Sequence, residues 1–418
     1  MDVKLNLRDR LYFALFLIVP VPLFFNLNGT IFRAGTFDFN AFGLPASFLI
    51  LSIVTIINIK KIDFLFHKEN ALFLLFILLQ FISFLLYNII FSSNGDPLLL
   101  LISIIPLIFS YKIGFNINKI TNYGMLNKYI RKSILICGFF SMLHLLSSFV
   151  KYGVVQSFAV RGNDDIFGLF SIYQKLVYYP TMLALFFVLS IYQKGKLIRV
   201  ATIFILIAML MVGSRESLII ATCGLLSKMI WIKLFRKYKY LPLLFIGIML
   251  LAVVSGNYIA KTVETFSESG LVTKLKKLNQ TGDYSAGRFD VMKKVFTDNK
   301  NDTFIGTGYS TQEGIISPHN QYLEFFLRSG IFSLFMFFLL LVKAYKNIFR
   351  LIKIRDFIPN FNTVFSLVVV FVLFSVIAFN INTPIRAPYT SCFFGILLGF
   401  FNKNITYEFQ KNYQARVS

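Results

Sequence analysis

The stretch NQYLEFFLRSGIFSLFMFFLLLV, residues 320–342, is rich in Phe and Leu and is long enough to cross a membrane as a single helix. Similar apolar runs recur along the whole chain of 418 residues, which is 56% hydrophobic and 15% charged. Soluble domains average about 25% charged residues. The sequence therefore predicts an all-α polytopic membrane protein in which residues 1–418 form a single integral membrane domain.

Twelve apolar runs predict about twelve transmembrane helices. The first run is not followed by a small-residue cleavage site, so we expect it to be retained as a span. The two runs joined by GSRES are short and predict either a tight hairpin or two half-spans. The runs are 11–28, 40–59, 71–91, 97–115, 133–150, 176–192, 200–213, 217–232, 241–259, 320–342, 361–380 and 387–402.

The net charge of +23 comes from Lys and Arg residues concentrated in every second segment between the runs. If the N-terminus lies inside, the seven inner segments hold 25 Lys and Arg against 6 acidic residues. This pattern obeys the positive-inside rule, so both termini are predicted to be cytoplasmic. Because the charge follows the topology, it does not indicate a basic groove for nucleic acid.

Two substantial loops, about 151–175 and 260–319, then face outward. The second is far longer than helix connections usually require, which favours a functional role. Within it, Phe289, Met292 and Phe296 have helical spacing. This spacing predicts a short amphipathic helix on the outer surface.

His319, in the sequence GIISPHNQYLEFF at 314–326, lies where the long loop meets an apolar run. Ser317 is a candidate N-cap and Pro318 suits the first helical position, which would place His319 in the first turn. The positive end of the helix dipole would keep the imidazole neutral, as a general base requires. The alternative is an interfacial histidine with a purely structural role.

Three arginines are predicted to lie on the same outer side as His319. Arg215 begins a short run and needs an anion, either a substrate or the neighbouring Glu216. Arg288 would open the surface helix, where a phosphate is readily bound, although a solvated loop arginine is the alternative. Arg161 lies in the other outer loop beside two aspartates and could form a local salt bridge. Together, three cations and one neutral base suit a lipid-linked diphosphate and a hydroxyl nucleophile.

Several functional classes find little support in the sequence. Glu324 is the only acidic residue embedded in a run, whereas ion-coupled transporters generally need intramembrane acids. No metal-ligand spacing is present, so we expect no metal and no cofactor. The three cysteines all lie inside apolar runs and indicate no disulfide framework.

Four elements in order resemble the C-terminal region shared by O-antigen ligases and O-antigen polymerases. They are a Ser-Arg pair at the start of a span, a Gly-Arg pair before an amphipathic helix, a GxG turn, and a His-Asn pair entering a span that has a glycine about ten residues on. Here these elements are Ser214-Arg215, Gly287-Arg288, Gly306 with Gly308, and His319-Asn320 with Gly330. The resemblance covers about residues 200–345.

This resemblance implies a fold similar to that of GT-C glycosyltransferases. It further implies a metal-independent, inverting glycosyltransferase of the bacterial inner membrane, with loops 151–175 and 260–319 and the active site on the periplasmic side. The donor would be a glycan on undecaprenyl pyrophosphate. Candidate partners are membrane lipids, a chain-length regulator, a flippase and, for a ligase, the lipid A-core acceptor.

By analogy, Arg215 and Arg288 would hold the diphosphate while His319 takes the proton from the acceptor hydroxyl. Arg161 would contact the pyrophosphate or a sugar. Further candidates for a supporting role near these residues are Asn320, Glu216, Tyr322 and Glu324.

The shared residues do not separate a polymerase from a ligase, because the donor and the reaction are the same. The long loops and the bias toward Phe, Ile and Asn favour a polymerase. A transporter or flippase for a lipid-linked glycan is the alternative from another class, but neither intramembrane acids nor an internal repeat supports it. A purely structural membrane subunit is a third alternative.

Overall fold

The computed structural model describes residues 30–34, 37–40, 68–91, 97–117, 123–153, 179–212, 214–231, 304, 306–307, 320–358, 360–381 and 388–403. Almost all of them are helical. The helices are α1 (Ala71–Phe91), α2 (Pro97–Ile117), α3 (Tyr123–Tyr152), α4 (Tyr179–Ile191), α5 (Lys196–Val212), α6 (Arg215–Trp231), α7 (Gln321–Lys353), α8 (Phe361–Leu373), α9 (Phe379–Ile381) and α10 (Pro388–Asn402). Short 3₁₀ helices cover Lys68–Asn70 and Arg355–Phe357, and a π-helical turn, Phe374–Ala378, joins α8 to α9.

A two-stranded hairpin departs from the all-α prediction. Strands β1 (Thr30–Ala34) and β2 (Phe37–Asn40) pair antiparallel, with Arg33 opposite Asp38. The register shifts between Thr30 and Phe32. This segment was predicted only as an outer turn, and the rest of the described secondary structure is helical.

Nine of the twelve predicted spans coincide with described helices. The runs 11–28 and 241–259, and nearly all of 40–59, lie outside the described residues, as does the proposed surface helix at 285–296. Among the described helices, four are long and apolar enough to cross a membrane. The helical membrane-protein class is thus confirmed, while twelve spans and cytoplasmic termini stay predictions.

Two helices continue well beyond the predicted spans. Helix α3 has 30 residues and α7 has 33. At about 1.5 Å per residue α3 is roughly 45 Å long, against about 30 Å of hydrocarbon. Helix α7 is interrupted at Gly330, and its second part extends to Lys353. The predicted cytoplasmic loops at 116–132 and 343–360 are therefore partly helical, which corrects those boundaries. Lys and Arg end the apolar pattern but are good helix formers, so the helices continue through them.

The chain forms two compact units. The first comprises Met1–Val19, Pro45–Tyr129 and Arg288–Ser418, and the second comprises Pro20–Leu44 and Ile130–Gly287. Helices α1, α2 and α7 to α10 belong to the first unit, whereas α4, α5, α6 and most of α3 belong to the second.

Helices α2 and α10 of the first unit touch backbone to backbone. Gly395 and Gly399 lie four residues apart on the contacting face of α10. A Cβ at Gly399 would lie 2.7 Å from the carbonyl carbon of Tyr111, and a Cβ at Gly114 would lie 2.7 Å from that of Ile396. Small residues permit this close approach in membranes, where van der Waals packing drives the association of helices.

Aromatic side chains form the core of the first unit. The ring centroid of Phe337 lies 4.6 Å from that of Phe325, 5.4 Å from Phe76, 5.9 Å from Phe379 and 6.1 Å from Phe394. These rings come from α1, α7, α9 and α10. Pairs at such distances stabilise a core beyond the area that they bury, so this cluster ties four helices together.

Two contacts within the first unit join helix ends that the predicted topology places on the same side of the membrane. The ammonium of Lys343 donates to the backbone carbonyl of Glu69, and both residues belong to segments predicted to be cytoplasmic. At the other end, the side chains of Asn320 and Asn380 are hydrogen bonded, and both lie at predicted outer ends of runs. The alternation of the predicted spans therefore agrees with the packing of this unit.

In the second unit, α4 packs against both α5 and α6. Every side chain from Met182 to Leu189 is at most 3% exposed, so α4 is buried on all faces. Helices α5 and α6 have 17 residues each, or about 25 Å. This length favours two short spans over two half-spans.

Candidate functional site

The structure describes the predicted site in part. Arg161, Arg288 and His319 lie outside the described residues. Arg215 is described by its backbone alone, as the first residue of α6. The candidate supporting residues are described with their side chains: Asn320, Tyr322, Glu324 and Glu216.

The N-terminus of α7 is capped by Asn320, and the predicted cap at Ser317 is wrong. Asn320 is extended (φ −147°, ψ 121°), and its side-chain oxygen accepts from the N–H groups of the second and third helical residues at 2.9 and 3.1 Å. Asparagine is among the strongest N-caps. Since the helix begins at Gln321, His319 precedes the cap instead of lying in the first turn, and the dipole argument for a neutral imidazole loses its basis.

The first turn of α7 is attached to the π-helical turn that follows α8. The hydroxyl of Tyr322 donates to the backbone carbonyl of Ser375 at 2.6 Å, and the amide of Asn320 donates to the side-chain oxygen of Asn380 at 3.3 Å. A third contact joins the Tyr345 and Ser375 hydroxyls at 2.6 Å. Two of the predicted supporting residues thus position the start of the helix that follows His319.

Glu324 forms an ion pair with Arg328, one turn further along α7. The two side chains are only 4% and 11% exposed. A buried carboxylate is costly unless it is paired, and removing either partner would leave a charge in an apolar environment. The pair therefore explains how the one acidic residue embedded in a predicted span is accommodated.

Helix α7 is kinked at Gly330, where φ is 75° and ψ is −179°. Glycine alone adopts this backbone region readily. Thr307, in the predicted outer loop, docks near the kink, because its N–H donates to the carbonyl of Leu327 at 2.6 Å. Gly306 also has a positive φ, of 78°, and lies against the backbone of residues 328–330. The first glycine of the GxG motif, Gly306, thus meets the later glycine of the sequence motif, Gly330.

Helix α1 holds the same kink from another direction. Gln80 is fully buried; its amide donates to the Ser333 hydroxyl and its oxygen accepts from the Ser329 hydroxyl. The hydroxyl of Ser83 donates to the backbone carbonyl of Ser329 at 2.9 Å. Non-helical backbone at membrane depth requires such internal partners. We call Gln80, Ser83, Ser329 and Ser333 the kink cluster.

The second unit holds Glu216, the residue after Arg215. Glu216 is 5% exposed and accepts a hydrogen bond from the Thr181 hydroxyl at 2.6 Å. It lies in the first turn of α6, where the helix dipole stabilises a carboxylate. The contact fixes the start of α6 against α4, and with it the backbone of Arg215.

The sequence reasoning missed Gln80, Thr181, Ser375 and Asn380. One signal could have found Gln80, because an amide in the middle of an apolar run is costly without a partner. The sequence analysis considered only acidic residues inside the membrane and therefore did not single out Gln80. The contact between Asn320 and Asn380 joins residues 60 positions apart and has no local signal.

The described residues around the predicted site hold backbone segments in place more than they offer catalytic groups. Hydrogen bonds and backbone docking hold the N-terminus of α7 and the outer loop at Gly306, while Thr181 and Glu216 hold the start of α6. Within the described part of the chain, no group of three His, Cys, Asp or Glu residues could bind a metal. All three cysteines are free. Such rigid supports can present a cation or a base at a helix start.

Comparison with known proteins identifies part of the chain. Residues 200–338 match the family model described as O-Antigen ligase. The matched range includes Arg215, Arg288 and His319. It also includes Gly306 and Gly330. No curated protein sequence matches the chain significantly. The match supports, for residues 200–338, the resemblance of this chain to the O-antigen ligase and O-antigen polymerase superfamily.

Proposed function

We propose that the protein is a polymerase of O-antigen or a related surface polysaccharide. It joins repeat units carried on undecaprenyl pyrophosphate at the periplasmic face of the bacterial inner membrane. The observation that carries this proposal is the family match over residues 200–338, which contains the Ser-Arg, Gly-Arg and His-Asn pairs in order.

The geometry around the matched motifs supports a site built at the start of α7. The Asn320 cap, its bond to Asn380, and the docking of Thr307 on α7 hold this end of the helix from three directions. Catalytic groups need such rigid support, because a displacement of about 1 Å can cost about a hundredfold in rate. His319 immediately precedes this supported position.

In the proposed reaction, an acceptor hydroxyl gives its proton to His319 and its oxygen attacks the anomeric carbon of the donor. The bond between that carbon and the pyrophosphate oxygen breaks, and the electron pair leaves with the lipid diphosphate. Arg215 and Arg288 stabilise the developing charge, and Arg161 contacts the diphosphate or a sugar. Direct displacement inverts the anomeric centre, and the reaction needs no metal or other cofactor.

A ligase that transfers the glycan to lipid A-core is the second candidate. The description of the matched family model, O-Antigen ligase, favours it. The polymerase is preferred because the long outer loops and the residue composition suit the variable polymerases better. In either case the donor and the roles of the arginines and His319 are the same.

A lipid-linked glycan transporter is less well supported than either enzyme. Ion-coupled transport generally uses acidic residues inside the membrane. Glu324, the one acid embedded in a predicted span, is paired with Arg328 on the same helix. A flippase would also leave the Gly-Arg and His-Asn pairs without an explanation.

Glycan analysis of a strain lacking the gene tests the proposal. A polymerase predicts lipid A-core that carries a single repeat unit and no longer chains, restored to full length by the wild-type protein. Bare core, with polymer accumulating on undecaprenyl pyrophosphate, would identify a ligase instead. Unchanged surface glycan would contradict both enzyme assignments.

A further inference from the structure

The π-helical turn Phe374–Ala378 offers backbone carbonyls to side chains. The N–H of Phe379 points to the carbonyl of Phe374, five residues earlier, where an α-helix would use the carbonyl of Ser375. The Ser375 carbonyl is taken by the Tyr322 hydroxyl at 2.6 Å. Isolated π turns occur frequently at functional sites, and this one contacts the first turn of α7.

Asn380 links the same turn to the cap of α7. Its amide nitrogen donates to the carbonyl of Val376 at 2.7 Å, and its oxygen accepts from the amide of Asn320 at 3.3 Å. The oxygen of Asn320 is already engaged by the N–H groups of Tyr322 and Leu323. Asn380 therefore binds the amide nitrogen of the capping residue Asn320. Hydrogen bonds thus connect the π turn, through Asn380, to Asn320, the residue after His319.

The position of Asn380 is not one that the core requires. Its side chain is exposed, at the predicted outer end of an apolar run. The amide is explained by its two partners, one in the π turn and one at the N-terminus of α7.

We propose that Asn380 is a positioning residue for the transfer reaction. It acts through Asn320, the cap that follows His319 in the chain, to hold the N-terminus of α7 in place. This inference rests on the proposed function, because it assigns His319 as the group that takes the proton.

Two substitutions at Asn380 separate positioning from bulk packing. Asn380→Leu removes both hydrogen bonds at similar size. Asn380→Asp cannot donate to Val376 but keeps an oxygen that accepts from Asn320. If orientation of the cap is what matters, the leucine variant loses at least about tenfold in glycan polymerisation, because small displacements are costly to catalysis. The aspartate variant keeps most of the activity.

The experiment uses the full-length protein in the deletion strain, expressed at a level low enough that polymerisation limits chain formation. Long-chain surface glycan is measured per amount of protein in the membrane, which corrects for variants that fold less well. Asn88→Leu is the matched control, because Asn88 also donates to the carbonyl four residues earlier, at 2.7 Å, on another helix of the same unit.

The expected result is a loss with Asn380→Leu, activity near wild type with Asn380→Asp, and little change with Asn88→Leu. Wild-type activity of Asn380→Leu would overturn the inference, and so would equal losses in the leucine and aspartate variants. His319→Ala is measured in the same series. If the deletion strain keeps its surface glycan, the proposed function fails. If His319→Ala is fully active, the assignment of His319 as the base fails; if it is inactive while Asn380→Leu is normal, only the positioning role fails.

Discussion

Gly306 and Gly330 interlock backbone to backbone. A Cβ built on Gly306 would lie 2.5 Å from the backbone nitrogen of Ser329 and 2.7 Å from that of Gly330. Both glycines have positive φ angles, of 78° and 75°. The segment at Gly306 thus meets the kinked helix at a point where Gly306 has no room for a side chain. Two glycines of the sequence motif, 24 positions apart in the chain, serve a single contact.

Gly306→Ala should therefore destabilise the protein strongly. The alanine must adopt a left-handed conformation, at about 1–3 kcal/mol, and its methyl group must displace the backbone of α7. Gly153→Ala is the matched control, because Gly153 has a φ of 75° but its Cβ would meet no atom within 4 Å in the described part of the chain. Heating the detergent-solubilised protein and measuring the fraction that stays monodisperse compares the two. Equal losses would show that the interlock adds nothing to the backbone strain.

Gln80 and Ser333 should be energetically coupled through the kink cluster. Gln80→Leu leaves two buried hydroxyls without their amide partner, at a cost of about 1–3 kcal/mol. Ser333→Ala removes one of these contacts in advance, so the double variant should lose less than the sum of the single variants. We expect a coupling energy of about 0.5–1.5 kcal/mol. The measurement is the free energy of unfolding in mixed detergent and denaturant. Strict additivity would contradict the direct hydrogen bond.

Gly399→Ala and Gly124→Ala should have effects of opposite sign. In α10, the new methyl group would lie 2.7 Å from the carbonyl carbon of Tyr111 and force α2 and α10 apart. In α3, a Cβ at Gly124 would meet no atom within 4 Å. There alanine should stabilise by about 0.5–1 kcal/mol, because it restricts the unfolded chain and favours the helix. The melting temperatures of the two purified variants, each compared with that of the wild type, show whether stability falls or rises. A Gly399→Ala protein as stable as the wild type would contradict the close packing.

The sequence predicted the described helices well, because a bilayer imposes long apolar runs. Helix α1, Ala71–Phe91, matches its predicted run at both ends. Helix ends were predicted less well wherever the chain leaves the hydrocarbon. Helix α3 begins ten residues before the predicted span, since water does not end a helix rich in Lys and other helix formers. An apolar run indicates which residues lie in the hydrocarbon, but it does not indicate where the helix ends.

The candidate site was predicted to a smaller extent, because its supports are non-local. The proline of the Ser317-Pro318 pair suggested a helix start, yet the stronger Asn320 cap set the boundary at Gln321. The π turn that contains Ser375 has no sequence signature that we could recognise. Contacts such as that of Asn320 with Asn380 depend on how separate helices pack. The sequence indicated Asn320 and Tyr322 as supporting residues, but it did not indicate their partners Asn380 and Ser375.

The central claim is that His319 takes the proton from the acceptor hydroxyl. Its most direct test is the amount of long-chain surface glycan in the deletion strain carrying His319→Ala, at the same membrane level as wild type and under limiting expression. Loss of a general base typically costs about a hundredfold or more. The account predicts single-repeat glycan with essentially no longer chains. Chains at the wild-type length and amount would contradict it.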